Sequence, residues 1–257
     1  MTETEVLNAA RTVAGPVPRD LRVRYATGLS LLGLTSGLGQ VDSLIGGLKP
    51  GTIALLTGPE VSIQAAERYC VRAQLPAKRG GLDGSAYFID GGNSFDVYLF
   101  TALVRRHHLD YDAALNRQLL SRAFTIYELR SLVEDSETVF MTRRPKLLVV
   151  SEVFSLFTED TDRYEARRVF RSIASAISEV NRRQQVPVLL TAAKRDERLT
   201  PILEEQSTVS LDIAQGEHAT RFRLFKHPWK APVEVVREAG PRNYNQDTLQ
   251  LEAGPHG

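Results

Sequence analysis

The stretch that decides the fold runs from Thr35 to Gly51 and reads TSGLGQVDSLIGGLKPG. An apolar run at residues 52–57 follows it directly, ends at Gly58 and precedes a segment with helical periodicity at residues 64–74. Glycine adopts the backbone conformations that tight turns need, so these glycines indicate a turn that leads into a strand. The order of turn, buried strand, glycine and helix is typical of an α/β fold.

Strands and helices continue to alternate along the chain. Short runs rich in β-branched and aromatic residues predict strands at 52–57, 86–89, 146–150, 186–191, 209–213 and 221–225. Apolar residues three or four apart predict helices at 64–74, 96–106, 127–132 and 164–183. Such alternation produces parallel βαβ units. We therefore predict a mostly parallel twisted sheet flanked by helices, with an antiparallel edge hairpin formed by the last two strands.

Composition fits one large domain. The chain has 257 residues, of which 42% are hydrophobic and 25% charged. We predict an N-terminal arm at 1–32, a core at 33–238 and a flexible tail at 239–257. The single cysteine, Cys70, excludes an internal disulfide and a cysteine cluster for a metal. No apolar run approaches the ~18 residues of a membrane span, and the amino terminus lacks a signal-peptide layout. We expect a cytoplasmic protein that does not contact membranes.

The charge balance limits direct contacts with nucleic acid. The net charge is +1, from 32 basic and 31 acidic residues. A protein that holds DNA mainly through phosphates usually has a basic excess, because each neutralised phosphate needs a cation. Any contact with DNA must therefore come from local patches, be weak, or go through a partner.

The glycine-rich opening motif resembles that of the RecA superfamily, especially the archaeal RadA and RadB recombinases and their paralogues. Further matches follow in the family's order, at residues 87–95, 121–129, 146–150 and 226–228. The resemblance covers roughly residues 33–237 and implies a RecA-like P-loop core. It also implies that the larger recombinases carry an amino-terminal helical DNA-binding domain, which we do not expect here because 32 residues are too few to form it.

The resemblance locates a phosphate loop whose residues have changed. The loop G-x-x-x-x-G-K-[ST] wraps phosphates with backbone N–H groups, and its Lys and hydroxyl meet the phosphates and Mg²⁺. Here Gly58 is present, but Ile63 replaces the second glycine, Gln64 the Lys, and Ala65 the hydroxyl residue. In the same loop Pro59 removes a backbone donor and Glu60 adds a negative charge.

The other ATPase positions implied by the resemblance are also altered. Gly92 occupies the position where the family has its catalytic Glu, and Ser151 occupies the position of the Walker B Asp. Glu152 comes one residue later, but strand alternation points it to the opposite face. Lys226 or His227 replaces the acidic residue that caps a neighbour's nucleotide in filament-forming relatives. We therefore expect no ATP hydrolysis and no ATP or Mg²⁺ cofactor.

Two loops correspond to the DNA-binding loops of the recombinases. The first, at 157–163, is acidic and would repel phosphate. The second contains Lys194, Arg195 and Arg198, and it is either a DNA contact or a solvated connection. It is too short to wrap a strand. Few phosphates would be neutralised at once, so we expect weak binding of single-stranded DNA.

Three further segments carry candidate contacts, each with a structural alternative. Arg105 and Arg106 end a helix, where cations are favoured, or form a patch for DNA or a partner. The adjacent His107 and His108 lack metal-ligand spacing. The segment with Lys226, His227, Trp229 and Lys230 suits base stacking or a partner groove, or else Trp229 packs beneath the edge hairpin. Residues 25–28 faintly resemble the tether that joins RadA-type protomers.

Two hypotheses follow. The first is a non-catalytic RecA/RadA-like paralogue, an accessory or regulatory module in DNA recombination and repair that binds a recombinase of the RadA type, another RecA-fold paralogue, or DNA. The second is a DNA-dependent ATPase of altered motif whose site is completed by a partner protomer. A weaker third is a structural or signalling module outside DNA metabolism, because fold alone does not fix function.

Overall fold

The computed structural model describes residues 33–59, 61–158 and 160–238. The predicted arm, with the tether-like residues 25–28, and the predicted tail lie outside them. The strands are β1 Ile53–Thr57, β2 Ala86–Asp90, β3 Gln118–Arg122, β4 Leu147–Ser151, β5 Val188–Ala192, β6 Val209–Gln215, β7 Ala219–Lys226 and β8 Val233–Glu238. The helices are α1 Gly39–Ile45, α2 Val61–Ala73, α3 Val97–Arg106, α4 Tyr111–Asn116, α5 Ile126–Glu134, α6 Ser136–Arg143, α7 Arg163–Gln184 and α8 Thr200–Gln206.

The eight strands form one sheet in the order β3-β2-β4-β5-β1-β6-β7-β8. The neighbouring pairs from β3 to β6 are parallel, and the β6–β7 and β7–β8 pairs are antiparallel. Helices flank the sheet, so the predicted α/β fold is confirmed. The four central strands β1, β2, β4 and β5 are buried throughout, as their continuous apolar runs predict.

Both outer strands of the sheet were missed by the sequence pattern. The β6–β7 hairpin is antiparallel as predicted, but it does not form the edge, because β8 pairs with the far side of β7. β8 is exposed along nearly its whole length, and β3 is half-buried at the opposite edge. Exposed edge strands carry polar residues in place of a clear apolar alternation, so their pattern is weak.

Strand alternation sends side chains into two hydrophobic cores. Ile53 and Leu55 of β1 pack on one face of the sheet with the buried stripe of α7, as the long periodic segment predicts. Ala54 and Leu56 pack on the other face with α1 and α2. No helix in the described part of the chain is long and apolar enough to cross a membrane.

The glycine-rich opening motif contains α1, and hydrogen bonds fix the turn that precedes this helix. The Asp42 carboxylate accepts hydrogen bonds from the backbone N–H of Ser36 (2.7 Å) and of Gly37 (2.8 Å). Arg72 of α2 donates from Nε and Nη2 to the carbonyl and hydroxyl oxygens of Thr35, both at 2.7 Å. Gly46 ends α1 with a φ of +77°, a conformation that favours glycine. This motif therefore stabilises the region that leads into β1.

Candidate functional site

The candidate site lies at the edge where the parallel strands β1, β2, β4 and β5 end, which we call the carboxyl edge. Three residues join β1 to α2, and α2 begins at Val61, three residues before the predicted start at 64. Gly58 has a φ of +136°, and a Cβ there would lie 2.1 Å from the carbonyl oxygen of Ile213 on β6. Close packing against β6 is therefore enough to require this glycine.

The first turn of α2 bonds back to the sheet. The Ser62 hydroxyl donates to the carbonyl oxygen of Gly58 and lies 3.3 Å from that of Ala192, at the end of β5. Gln64 is half-buried, and Ala65 is fully buried. Glu60 and the side chain of Ile63 lie outside the described part of the chain. The helix start is thus tied to β1 and β5 through the hydroxyl of Ser62.

Asp90, at the end of β2, organises the loop that follows that strand. Its carboxylate is fully buried and accepts from the backbone N–H groups of Gly92 (3.2 Å), Ser94 (2.9 Å) and Phe95 (3.2 Å). Arg122 of β3 donates to it from Nε and Nη2, each at 3.2 Å. Because both oxygens serve these contacts, Asp90 acts as the structural centre of the loop.

Hydroxyl groups link three strands across the carboxyl edge. Ser151, at the predicted Walker B position, lies with its Oγ 2.8 Å from Oγ of Ser94 and 3.0 Å from Oγ1 of Thr191. Ser155 donates to the carbonyl oxygen of Gly91 at 2.6 Å. The loop after β2 and the ends of β4 and β5 are therefore joined by hydrogen bonds between their own side chains.

The Glu152 side chain packs against the backbone of Gly92, between the ends of β2 and β4. An ideal Cβ on Gly92 would lie 2.4 Å from Cβ and 2.7 Å from Cγ of Glu152. The expected alternation does not reach Glu152, because β4 ends at Ser151 and Glu152 has a φ of +54°. Gly92 is thus a glycine where the backbone of the β2 loop makes room for the Glu152 side chain.

The Glu152 carboxyl is buried, and its Oε1 has no hydrogen-bond partner among the described residues. Burial raises its pKa, the nearby Asp90 adds to that rise, and a hydrogen bond from the backbone of Ala193 opposes it. Strained backbone and an unsatisfied buried carboxyl mark a place that merits a functional test.

A second buried carboxyl, Glu67 of α2, was missed by the sequence analysis. Its Oε1 accepts the backbone N–H of Asp96 at 2.6 Å, and Asp96 in turn caps α3. Burial raises the pKa of Glu67 to about 8, against this hydrogen bond. One acidic residue in an amphipathic helix gives no sequence signal of burial, because exposed helix faces carry the same residue type.

The two arginines of the loop after β5 make internal contacts. Arg195 donates to Oε1 of Glu204 at 2.9 Å and stacks over Phe225, 4.3 Å from the ring centroid. Arg198 pairs with Asp196 (3.0 Å) and donates to the carbonyl oxygen of Phe157 (3.0 Å). Lys194 is exposed. The first of the two loops is likewise anchored at Phe157, which packs on Phe170 of α7.

The remaining candidate cations lie at two places. Arg105 and Arg106 occupy the last turn of α3, where the helix dipole favours cations, and Arg105 is exposed. The segment with Lys226, His227, Trp229 and Lys230 forms a turn between β7 and β8. The ring of Trp229 is 73% exposed, so it is not packed beneath the hairpin.

The sheet order, with the central β1 leading through a glycine into α2, defines a RecA-like α/β core. Comparison with known proteins gives the family. A model of the Rad51 family matches residues 28–194, which is more than half of the chain. The chain belongs to the Rad51 family, and the resemblance to RecA-type recombinases is confirmed.

Individual relatives are distant. The chain is 24% identical over 233 residues to the human meiotic recombination protein DMC1/LIM15 homolog, covering 86% of this chain and 68% of that protein. It is 27% identical over 139 residues to the DNA repair protein RAD51 homolog B of Zea mays, covering 53% of this chain and 41% of that protein. A similar match is the DNA repair protein RAD51 of Mycosarcoma maydis, 27% identical over 133 residues, or 51% of this chain and 39% of that protein.

Proposed function

We propose that this protein is a non-catalytic accessory or regulatory module in DNA recombination and repair, which acts by binding a RadA-type recombinase, another RecA-fold paralogue, or DNA. Membership of the Rad51 family supports a role in DNA recombination and repair, as do relatives named as recombination and repair proteins. The changes at the carboxyl edge support the absence of catalysis.

The residues present at the carboxyl edge do not fit Mg·ATP. Gln64 and Ala65 supply neither the cation nor the hydroxyl that phosphates and Mg²⁺ need, and Ala65 is buried. Gly58 packs against β6, and Asp90 is surrounded by its own loop. The observation that carries the proposal is that Ser151 bonds to Ser94 and Thr191, so the predicted metal-holding position is part of a closed hydroxyl network.

Isothermal titration calorimetry with Mg·ATP tests whether the protein lacks affinity for ATP. We expect no heat of binding at concentrations where RecA-type ATPases saturate. A dissociation constant below about 100 μM, which corresponds to roughly −5.5 kcal/mol, would contradict the proposal.

Affinity capture from the native host tests the identity of the partner. Tagged protein should retain a recombinase of the RadA type or another RecA-fold paralogue, identified by mass spectrometry. A capture that returns only proteins unrelated to DNA metabolism would move the function outside recombination.

A second candidate function is a DNA-dependent ATPase whose site is completed by a partner protomer. Glu152 favours it, because its carboxyl is buried, has an unpaired oxygen and fills the space above Gly92. In this alternative Glu152 replaces the carboxylate that Gly92 lacks, and the partner supplies the phosphate-binding cation.

The two candidates differ in a reconstituted complex. The captured recombinase is made inactive by replacing its own catalytic Glu, which leaves its cations in place, and ATP turnover is measured with single-stranded DNA and this protein. Turnover that Glu152→Gln abolishes supports the alternative. Absence of turnover, with the complex intact by gel filtration, supports the non-catalytic module.

A further inference from the structure

The turn between β7 and β8 holds a tryptophan in solvent. Trp229 is the single tryptophan of the chain, and 73% of its surface is exposed. Burial of such a side chain is favourable, so an exposed tryptophan on an ordered turn indicates a contact surface. The turn comprises residues 226–230, and we call it the Trp229 turn.

His227 organises the Trp229 turn. The backbone N–H groups of Trp229 and Lys230 point to its Nδ1, at 3.3 Å and 3.2 Å. Nδ1 is therefore an acceptor, and the proton lies on Nε2, which donates to the carbonyl oxygen of Ile45 at 3.0 Å. Burial lowers the pKa of His227, with Lys230 adding to the effect, so the neutral ring that this pattern needs is favoured.

Lys230 anchors the turn to α1. Its Nζ donates to the carbonyl oxygens of Ser43 (2.7 Å) and Leu44 (2.8 Å) in the last turn of that helix. Carbonyls at a helix end have no partner within the helix, and the dipole there favours a cation. The turn is thus fixed by two side chains, and neither of them covers the tryptophan.

The indole ring itself is held at its edge and over one face. It meets the His227 ring edge-on, with centroids 5.5 Å apart and planes at 86°. Nζ of Lys49 lies 5.4 Å from the ring centroid, in a cation–π contact. The ring is oriented before any partner arrives, which lowers the entropy lost on binding.

The two chain segments that meet at this ring carry charge of one sign. Residues 45–51 and 226–232 contain Lys49, Lys226, His227 and Lys230 and no acidic residue. The next acidic residue after the turn, Glu234, is paired with Arg221 and Arg223 on the neighbouring strand. Lys226 and Lys230 donate to the carbonyl oxygens of Glu204 and of α1, so Lys49 is the lysine that we assign to a phosphate. An oriented aromatic ring beside a cation is a combination that holds single-stranded nucleic acid, with the base on the ring and the phosphate at the cation.

We propose that Trp229 and Lys49 form a stacking platform for one unpaired base of single-stranded nucleic acid, with His227 and Lys230 as positioning residues. The inference rests on the proposed function and names where its nucleic-acid contact lies. It replaces Arg195 and Arg198 as the principal cations, because their donors serve Glu204, Asp196 and Phe157.

Tryptophan fluorescence tests the platform directly, because every photon of indole emission comes from Trp229. Titration with a short oligodeoxythymidine strand at low salt should quench the emission, whereas a duplex of the same length should quench it less. By anisotropy, Trp229→Ala should weaken binding about tenfold and Trp229→Phe less, because stacking on an aromatic ring contributes on this scale. Lys49→Gln should lower the slope of log affinity against log salt by about one contact.

Two matched variants control for general effects. Tyr164→Ala removes the aromatic side chain of a residue on α7 that is 77% exposed. Lys78→Gln removes an exposed lysine that is distant in sequence from both Lys49 and the Trp229 turn. Both should bind the strand as the wild type does. Binding without quenching, or equal losses in Tyr164→Ala and Trp229→Ala, would place the nucleic acid elsewhere and overturn the inference.

The recombinase captured from the host separates this inference from the proposed function. If Trp229→Ala still captures that recombinase but binds the strand about tenfold more weakly by anisotropy, both stand. If Trp229→Ala loses the recombinase and the wild type shows no quenching, the turn docks a protein, and the stacking platform is wrong while the accessory role remains.

Discussion

At the carboxyl edge of the sheet, polar side chains bond to one another, whereas in the Trp229 turn they bond to backbone and leave an aromatic ring in solvent. Ser151, Ser94 and Thr191 satisfy each other within the fold. His227 and Lys230 donate hydrogen bonds to carbonyl oxygens at the end of α1, and Trp229 stays exposed. Hydrogen bonds that close a site stabilise the protein alone, while hydrogen bonds that hold a ring exposed prepare it for a partner.

The largest expected effect on stability is at Asp90. Asp90→Asn keeps the shape of the side chain but removes the charge that faces Arg122 and points an amide donor at backbone N–H groups. We expect a loss of about 3 kcal/mol in the free energy of unfolding, because the buried carboxylate accepts three backbone N–H groups and pairs with the partly exposed Arg122. Urea denaturation measures it. A loss below about 1 kcal/mol would mean that the loop after β2 is held by other contacts.

Gly92 should show the next largest effect. Gly92→Ala brings a Cβ to 2.4 Å from Cβ of Glu152, and we expect a loss of about 2 kcal/mol from overpacking. Glu152→Gly should rescue it, because it removes the opposing Cβ and suits the φ of +54°.

Glu152→Ala provides the control for that rescue, because it removes the carboxyl but retains the opposing Cβ. A double-mutant cycle should give a coupling near 1 kcal/mol or more for the glycine pair only. Equal rescue by alanine would assign the conflict to the carboxyl group.

The Gly92–Glu152 contact also marks the limit of what the sequence predicts. The opening motif, the buried central strands and the altered Gln64 and Ala65 are local patterns, so residue order is enough to find them. The contact joins residues that follow two separate strands, and it depends on Glu152 leaving the strand alternation at the end of β4. β8 was missed because its apolar alternation is broken by the adjacent Val235 and Val236, and because most of its residues are exposed.

Glu67 gives an effect of another kind, a slope of stability against pH. Its pKa is about 8 in the folded protein against 4.5 for an ordinary Glu. Between these values the unfolded chain releases a proton that the folded protein keeps, so stability falls as pH rises, by up to about 1.4 kcal/mol per pH unit. Glu67→Gln retains the acceptor for Asp96 and should abolish this fall.

Urea midpoints from pH 5 to 8 measure that difference in slope. Glu205→Gln, which removes a carboxyl from an exposed position on α8, controls for the change in net charge. Equal slopes for the wild type and Glu67→Gln would mean that Glu67 ionises freely in the folded protein.

Trp229 should have the smallest effect on stability. Trp229→Ala removes a side chain that is 73% exposed, and the turn that carries it is held by His227 and Lys230. Surface substitutions away from packed contacts change stability by no more than about 0.5 kcal/mol. His227→Ala, by contrast, removes the acceptor of two backbone N–H groups and the donor to Ile45, and should cost about 1 to 2 kcal/mol. Thermal unfolding of both variants measures the difference. If Trp229→Ala costs as much as His227→Ala, the ring stabilises the fold by packing, and the contrast between a closed site and an exposed platform fails at this residue.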